Sequence, residues 1–326
     1  MIKRTLFTLS TIAILIALAA CGSQEAAVQD VTVMLDWTPN TNHTGLYVAL
    51  EQGLYAENGL NVEIVQPGEA DVHQAVATNS AQFGVSYQEG TTFARAAEVP
   101  VVSVAAVIQH NTSGFAARST VGLSSPTDFA GKKYGSFSSP IEAPMIDLLM
   151  QCEGGSVDSV EFIDIGWSEF LPVTEQGDVD FAWIFYGWTG IAAELQGVPI
   201  DIVMLKDYTD CVPDYYTPIL ITSESLIADD PDLVTAFVNA TARGYEYAIE
   251  NPEEAADILV AAAPELDQEL VLESQKWLAN EYQAEAAQWG VQSTDIWQNY
   301  ADWLQEQGVL EEEFSGEMAF TNDFLP

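Results

Sequence analysis

The sequence predicts an α/β protein built as two similar lobes. Short apolar runs alternate with helix-length amphipathic stretches along most of the chain, which is typical of sheets flanked by helices. Two segments, 79–87 and 176–186, share one layout, in which a polar turn leads into a buried strand that ends at a tyrosine. The 326 residues also suit two domains of ordinary size.

The predicted strands fall into three groups along the chain. The first group is at 31–35, 62–65, 83–86 and 101–108, with helices at 43–52 and 70–78. A second unit begins at Ser125 and has strands at 133–137, 160–165, 181–185 and 200–205. A last strand at 218–222 precedes a helical region from Pro231, where one helix face is predicted at Leu233, Phe237, Ala240, Gly244 and Ala248.

This order of elements predicts where the chain passes between the lobes. We expect lobe 1 to comprise 30–111 and 218–326, and lobe 2 to comprise 112–217. The two connections, near 109–114 and 216–218, are expected to form a hinge that lets the lobes close over a ligand.

Polar and aromatic side chains follow several of the predicted strands. Tyr87 and Tyr186 end the two similar segments, Trp37 follows the first strand, and Asn111 follows the strand at 101–108. Ligands of open α/β sheets bind outside the carboxyl ends of the strands. We therefore expect these four side chains to face one cleft between the lobes.

The N-terminus predicts an exported, lipid-anchored protein. A short basic start precedes an apolar run at 11–20, which is well below the roughly 20 residues that a membrane-spanning helix needs. Leu-Ala-Ala directly before Cys21 matches the bacterial lipobox pattern. The prediction is a signal peptide at 1–20, a lipidated Cys21, a tether at 21–29, and a location on the extracytoplasmic face of the cell membrane.

The composition is strongly acidic, with 49 Asp and Glu residues against nine Lys and Arg and a formal net charge of −40. Such a charge excludes nucleic acid and anionic lipid as ligands, because their phosphates would be repelled. A basic ligand is one interpretation of this charge. We favour the other, an acidic and well-solvated surface suited to a saline or alkaline exterior, because the acidic residues are spread along the chain.

Few residues offer metal or nucleophile chemistry. Cys152 and Cys211 lie in the same predicted lobe and form either a disulfide bond or two free thiols. His43, His73 and His110 have no metal-ligand spacing, so no metal site is predicted. HExxH, GxSxG and P-loop motifs are absent from the sequence.

Six motifs are more specific than the pattern of elements. They are DWTPNTNHTGLYVA at 36–49, SYQEG at 86–90, QHNTSG at 109–114, FYGWTG at 185–190, YYTP at 215–218 and AFTNDFLP at 319–326. These motifs resemble those of the NMT1/THI5-like group of thiamine-precursor-binding proteins, and the bacterial formylaminopyrimidine receptors are the most similar members. The segment YGSFSSP at 134–140 departs from the group, in which a tryptophan-containing, glycine-rich turn is expected.

The resemblance implies a periplasmic-binding-protein-like type II fold with an interlobe cleft. It also implies a monomeric receptor without a cofactor, which captures a small heterocyclic ligand and hands it to an ABC permease in the membrane. Other members of the group bind riboflavin or alkanesulfonates. An alkanesulfonate would need basic donors, which are scarce here, so a thiamine pyrimidine precursor is the first expectation and riboflavin the second.

Nine residues are predicted to bind the ligand. Trp37, Tyr87 and Tyr186 are expected to stack on a flat ring, and Asn111 to match its mixed donor and acceptor edge. For His43 the alternatives are a ligand contact or a helix cap, for Glu142 a ligand contact or a charge that complements the helix dipole, and for Glu194 a cleft contact or a solvated helix face. Asn40 and Trp188 complete the set because they lie in the motifs at 36–49 and 185–190.

An enzyme is the alternative from another class. Fungal relatives of this group make the thiamine pyrimidine with a Schiff-base lysine and a cysteine-rich run. This chain has no lysine between Lys3 and Lys132, and CVPDYY at 211–216 stands where the cysteine run is expected. The sequence therefore favours a receptor over a synthase.

Overall fold

The computed structural model describes residues 28–68, 70–166 and 168–326. The predicted signal peptide, Cys21 and nearly all of the predicted tether lie outside the described residues. Ten strands are described: β1 Gln29–Met34, β2 Leu60–Val65, β3 Phe83–Ser86, β4 Val101–Ala106, β5 Ser113–Arg118, β6 Lys133–Ser136, β7 Glu161–Asp164, β8 Phe181–Phe185, β9 Ile200–Met204 and β10 Ile219–Ser223.

Twelve α-helices are described around these strands. They are α1 Thr44–Glu51, α2 Leu54–Glu57, α3 Val72–Ala77, α4 Gln88–Ala96, α5 Glu142–Cys152, α6 Phe170–Gln176, α7 Ile191–Leu195, α8 Glu224–Asp229, α9 Pro231–Glu250, α10 Pro252–Ala262, α11 Gln268–Leu278 and α12 Thr294–Glu306. A turn of π-helix, Tyr186–Gly190, joins β8 to α7. None of the described helices is both long and apolar enough to cross a membrane.

The strands form two five-stranded sheets with the same topology. The first sheet has the order β2-β1-β3-β10-β4 and the second has the order β7-β6-β8-β5-β9. In each sheet three neighbouring strands are parallel, and the fourth strand in the order runs antiparallel to both of its neighbours. The chain passes between the sheets twice, after β4 and after β9, so the predicted two-lobed α/β architecture is confirmed.

The predicted strands are all present, but β5 was not predicted. Residues near 109–114 are predicted to form a connection between the lobes, and SGFAAR at 113–118 contains few residues that favour strands. The structure forms a strand here because Ser113–Arg118 is paired on both sides, with β8 and with β9. Pairing on both sides overrides weak local propensity.

The core of the first lobe lies between its sheet and helices α1 and α9. Phe237 of α9 stacks on Phe83 of β3 with ring centroids 3.8 Å apart, and the predicted buried face of α9 is fully covered. A Cβ atom at Gly244 would overlap the backbone oxygen of Gly45, so glycine is needed where α1 and α9 cross. Truncating a fully buried Phe such as Phe237 costs about 3–5 kcal/mol of stability.

The core of the second lobe includes residues from the C-terminal helix α12. Phe115, Phe129 and Phe181 form its centre, and Tyr300 and Leu304 of α12 pack against the same cluster. Trp297, one turn earlier on α12, packs instead with residues of the first sheet. The spacing of Trp297, Tyr300 and Leu304, at i, i+3 and i+7, predicts one buried helix face; the structure buries this stripe, but it contacts both lobes. The exact division of the chain at 111 and 217 stays a prediction.

The two cysteines of the second lobe lie together. Cys152 ends α5 and Cys211 lies between β9 and β10, and the structure joins them in a disulfide bond with Cα atoms 6.0 Å apart. The bond ties the end of α5 to the second connection between the sheets.

Candidate functional site

The carboxyl edge of the first sheet carries two exposed aromatic rings. Strands β1 and β3 are parallel neighbours, so Trp37 and Tyr87, which follow them, leave the sheet at the same edge. Trp37 is 37% exposed and Tyr87 is 40% exposed. Large aromatic side chains of a folded domain are usually covered, so these rings are available to a ligand.

Tyr87 is held by the start of α4 and has acidic neighbours. A Cβ atom at Gly90 would come within 2.8 Å of the Tyr87 ring, so glycine lets the ring lie against the helix. Partial burial and the nearby carboxylates, Glu89 first among them, raise the pKa of Tyr87 to about 12. Its hydroxyl group therefore stays protonated at neutral pH and can donate a hydrogen bond to a ligand.

The carboxyl edge of the second sheet carries Phe185 and Tyr186. Phe181, Trp183 and Phe185 share one face of β8, and Trp183 packs on Phe115 with centroids 5.2 Å apart. Its indole N–H donates to Ser113 Oγ at 2.8 Å. Phe185 extends past this core and is 43% exposed. Sequence reasoning missed Phe185 because an apolar residue in a buried strand has the signature of core.

Tyr186 and Glu194 are brought together by the π-helical turn. The Tyr186 hydroxyl donates a hydrogen bond to Glu194 on α7, whose side chain is exposed. Burial and the bond to Glu194 raise the pKa of Tyr186 to about 12. A Cβ atom at Gly190 would come within 2.9 Å of a ring carbon of Tyr186, so the ring folds back over this glycine. The exposed carboxylate retains lone pairs that can accept further hydrogen bonds.

Trp188 lies in the same turn but packs against the first lobe. Its ring contacts an apolar cluster that includes Leu259 of α10 and Val271 of α11. Trp277 of α11 contacts the Tyr186 ring, with centroids 5.2 Å apart. Trp277 is not among the nine residues that the sequence predicts to bind the ligand. The structure places it beside a predicted ligand residue.

His43 and Asn40 form a capping box on the 3₁₀ turn Thr41–His43, which directly precedes α1. Both are buried, with His43 at 0% exposed and Asn40 at 6%. The Asn40 N–H donates to His43 Nδ1 at 3.2 Å, and the Asn40 side chain accepts from the Asn42 N–H at 2.9 Å. His43 Nε2 lies 2.7 Å from Asp36 Oδ1, so Nε2 carries the proton. Of the two alternatives for His43, the structure shows the capping contact.

Asn111 is buried in the first connection between the sheets. Its Oδ1 accepts hydrogen bonds from the Ser113 N–H at 2.7 Å and from Ser113 Oγ at 2.6 Å, which fixes the start of β5. Its Nδ2 has no hydrogen-bond partner among the described residues. The side chain is only 1% exposed, so it organises the backbone of the first connection.

Glu142 is buried at the start of α5 and accepts four hydrogen bonds. The hydroxyls of Tyr134 and Ser136 donate at 2.6 and 2.9 Å, and the N–H groups of Phe137 and Ser139 donate at 3.1 and 2.8 Å. Glu142 therefore holds the turn that follows β6. This turn is part of the segment at 134–140 that departs from the family motif. The Glu142 carboxylate stabilises its backbone by accepting two of its N–H groups.

A charged cluster joins the two connections between the sheets. Nδ1 of His110, in the first connection, lies 2.5 Å from Asp214 Oδ2 in the second connection. Nε2 of the same ring lies 3.0 Å from both carboxylate oxygens of Glu285. Ionised carboxylates only accept hydrogen bonds, so both ring nitrogens carry protons. The bond to Asp214 raises the pKa of His110 to about 9, against the opposing effect of partial burial.

The described residues form no metal-binding site. No group of three or more His, Cys, Asp or Glu side chains among them is arranged to hold an ion. The chemistry available at the two carboxyl edges is instead aromatic stacking and hydrogen bonding, from the rings and from Glu194.

Residues 40–255 match the family model described as NMT1/THI5 like. The formylaminopyrimidine-binding protein of Halalkalibacterium halodurans is 30% identical, over 96% of this chain and 97% of its own. The riboflavin-binding protein RibY of Chloroflexus aurantiacus is 28% identical, over 94% of this chain and 89% of its own. The 4-amino-5-hydroxymethyl-2-methylpyrimidine phosphate synthase of Legionella pneumophila is 27% identical, over 91% of this chain and 92% of its own.

Solved structures show the same fold at lower identity. The alkanesulfonate-binding protein SsuA from Xanthomonas axonopodis pv. citri, bound to MOPS, superposes with a TM-score of 0.69 and 14% identity, covering 91% of this chain and 99% of that one. The chain therefore belongs to the NMT1/THI5-like family and has the two-lobed α/β fold of periplasmic binding proteins.

Proposed function

We propose that this chain is an extracytoplasmic receptor that binds a thiamine pyrimidine precursor, of the formylaminopyrimidine or hydroxymethylpyrimidine type, and delivers it to an ABC importer. The observation that carries the proposal is the placement of exposed aromatic rings at both carboxyl edges, beside a carboxylate. A flat heterocycle fits against aromatic faces, and Glu194 can accept a hydrogen bond from a ring amino group. Similarity to a formylaminopyrimidine-binding protein along the whole chain supports this ligand class.

The ligand is tested by titrating the mature protein with formylaminopyrimidine, hydroxymethylpyrimidine and riboflavin, followed by calorimetry and by tryptophan fluorescence. We expect the pyrimidines to bind and Glu194→Gln to weaken them, because an amide accepts the amino hydrogen less strongly than a carboxylate does. Glu317→Gln, a change on an exposed residue of the C-terminal segment, is the matched control. Binding of riboflavin alone would overturn the pyrimidine assignment.

An alkanesulfonate ligand is less well supported by the charges near Tyr186. Lys206 lies near this region, with its Nζ 5.7 Å from the centroid of the Trp277 ring. The same Nζ lies 3.7 Å from Glu281, so its charge is already partly balanced. A sulfonate needs several donors around its oxygens. Including an alkanesulfonate in the titration tests this alternative directly.

A synthase is disfavoured by the surroundings of His43. Both ring nitrogens are occupied, by the Asn40 N–H and by Asp36, and the side chain is fully buried. Lysine is also absent from the sequence around it, so no imine with an aldehyde cofactor can form there. Incubation with pyridoxal phosphate should give neither an imine absorption band nor a pyrimidine product. Either one would favour the enzyme.

The location and the partner are part of the same proposal. We propose that Cys21 carries the lipid, that the receptor acts as a monomer, and that its closed form docks on the permease. Labelling cells with a palmitate analogue tests the anchor, because Cys21→Ser should abolish the label and release the protein from membranes. Retention of the label in Cys21→Ser would contradict the anchor and leave the ligand proposal standing.

A further inference from the structure

The π-helical turn Tyr186–Gly190 belongs to the second lobe, yet it contacts helices of the first. Trp188 packs on a cluster formed by Ala256 and Leu259 of α10 and Val271 of α11. Helix α10 packs on α1 and α9 of the first lobe, α11 packs on α10, and the turn directly follows β8 of the second sheet. The indole ring of Trp188 therefore bridges the two lobes.

A buried hydrogen bond joins the same two elements. Ser274 of α11 donates from Oγ to the backbone oxygen of Gly187. Thr41 Oγ1 lies 2.6 Å from Ser274 Oγ, and the Tyr282 hydroxyl donates to the Thr41 backbone oxygen at 2.5 Å. Ser274 is 0% exposed and Thr41 is 1% exposed. The Ser274 hydroxyl is therefore held by Thr41 of the first lobe and donates to the Gly187 backbone oxygen of the second lobe.

The backbone of the turn lies unusually close to α11. A Cβ atom at Gly187 would come within 3.1 Å of side-chain atoms of both Leu278 and Trp277, which is tighter than ordinary van der Waals contact. Trp277 also contacts the Tyr186 ring, with centroids 5.2 Å apart. Three adjacent residues, at 186, 187 and 188, therefore each contact the first lobe.

We propose that the turn Tyr186–Gly190 is a closure latch, anchored by Trp188 and seated on Ser274 and Trp277. In this arrangement Trp188, Ser274 and Trp277 are positioning residues for Tyr186 rather than ligand contacts. The inference rests on the proposed function, because Tyr186 is a proposed ligand residue. Its consequence is that one five-residue segment both contacts the ligand and docks the lobes, so docking slows ligand release.

The latch is tested by small-angle X-ray scattering and by ligand dissociation rates of the mature protein. Trp188→Ala should raise the dissociation rate of the pyrimidine about tenfold or more and leave the association rate within about twofold, because most interface changes act on dissociation. At saturating ligand its radius of gyration should stay larger than that of the wild type. Trp188→Phe, which keeps an aromatic ring, should restore part of both effects.

Two further variants keep the test decisive. Ser274→Ala removes only the hydroxyl, so it should raise the dissociation rate even if Trp188→Ala folds poorly. Leu50→Ala, at a residue of α1 that is 39% exposed, is the matched control and should change neither quantity. A Trp188→Ala protein that loses affinity but closes as fully as the wild type would make Trp188 a ligand contact and overturn the latch.

A wrong ligand assignment would give different results from a wrong latch proposal. If no heterocycle binds the wild type, the proposed function fails, and the latch is judged on the ligand-free proteins. Trp188→Ala should then have the larger radius of gyration, because it lacks the contact that docks the lobes. Equal radii in the ligand-free proteins would then overturn the latch. If a pyrimidine binds and all variants release it at the wild-type rate, the latch is wrong and the ligand assignment stands.

Discussion

Tyr87 and Tyr186 end matching strands of two sheets with the same topology, but their surroundings differ. Tyr87 precedes the regular helix α4 and rests against Gly90 within its own lobe. Tyr186 begins a π-helical turn, donates to Glu194 and contacts Trp277 of the other lobe. The comparison teaches that a shared layout of strand and tyrosine places both rings at a carboxyl edge, whereas the residues that follow decide which lobe holds each ring.

The largest expected effect is on ligand affinity, and it differs between the two tyrosines. Tyr186→Ala should weaken pyrimidine binding by about 2–3 kcal/mol, because it removes a stacking surface and the hydrogen bond that positions Glu194. Tyr87→Ala should cost less, about 1 kcal/mol, because it removes an aromatic contact and leaves Glu194 in place. Calorimetric titration of both variants measures the two losses of binding free energy. Equal losses would indicate that the two edges contribute equally, and an unchanged affinity would remove Tyr186 from the site.

The second-largest expected effect is on the free energy of unfolding, and it differs between two glutamates of the second lobe. Glu142→Gln should lower the free energy of unfolding by about 2 kcal/mol, because a carboxylate that accepts four hydrogen bonds is replaced by a group with two donors. Glu194→Gln should leave stability nearly unchanged, because Glu194 is exposed. Urea denaturation of both variants measures the difference. A neutral Glu142→Gln would show that the turn after β6 does not depend on this charge.

A smaller effect concerns the junction between the lobes. The folded pKa of His110, about 9, lies above its ordinary value of 6.5, so the imidazolium contributes stability that is fully present below pH 6.5 and lost as pH rises through 9. Its side chain is 34% exposed, so solvent screening reduces the contribution to about 1 kcal/mol. Urea denaturation at pH 6 and pH 10 should show this loss in the wild type. His110→Gln should remove that part of the pH dependence, and an unchanged pH profile would exclude the cluster as its source.

The smallest expected effect is shared by both lobes. With a net charge of −40, repulsion among surface carboxylates opposes folding, and salt screens it. The melting temperature should therefore rise by a few degrees between low and molar salt, measured in sodium chloride. A flat melting temperature over this range would contradict the interpretation of the acidic surface.

The fold was largely predictable because its signals are local. Apolar runs identified nine of the ten described strands, and the stripe at 297, 300 and 304 identified α12. Strand β5 was missed because its sequence is weak and its pairing partners are distant along the chain. The lobe contacted by each face of α12 was likewise not predictable, since periodicity shows that a face is buried but not what covers it.

The candidate site was predictable in part, for the same reason. Position after a strand was sufficient to find Trp37, Tyr87 and Tyr186 at the sheet edges. It did not distinguish exposed residues from buried ones, and Asn40, His43, Asn111 and Glu142 are buried in hydrogen-bond networks of the backbone. Phe185 and Trp277 were missed because an aromatic residue has the same sequence signature in a core and in a cleft.

Local patterns in the sequence were enough to predict the two-lobed α/β architecture and the sheet edges that carry Trp37, Tyr87 and Tyr186, because strand periodicity and strand ends are local properties of the chain. Only the tertiary structure decided that Trp188 packs on α10 and α11, that Ser274 contacts Gly187, and that His110 joins the two connections. Those contacts join residues from about 70 to more than 100 positions apart, and local sequence patterns carry no information about such pairings.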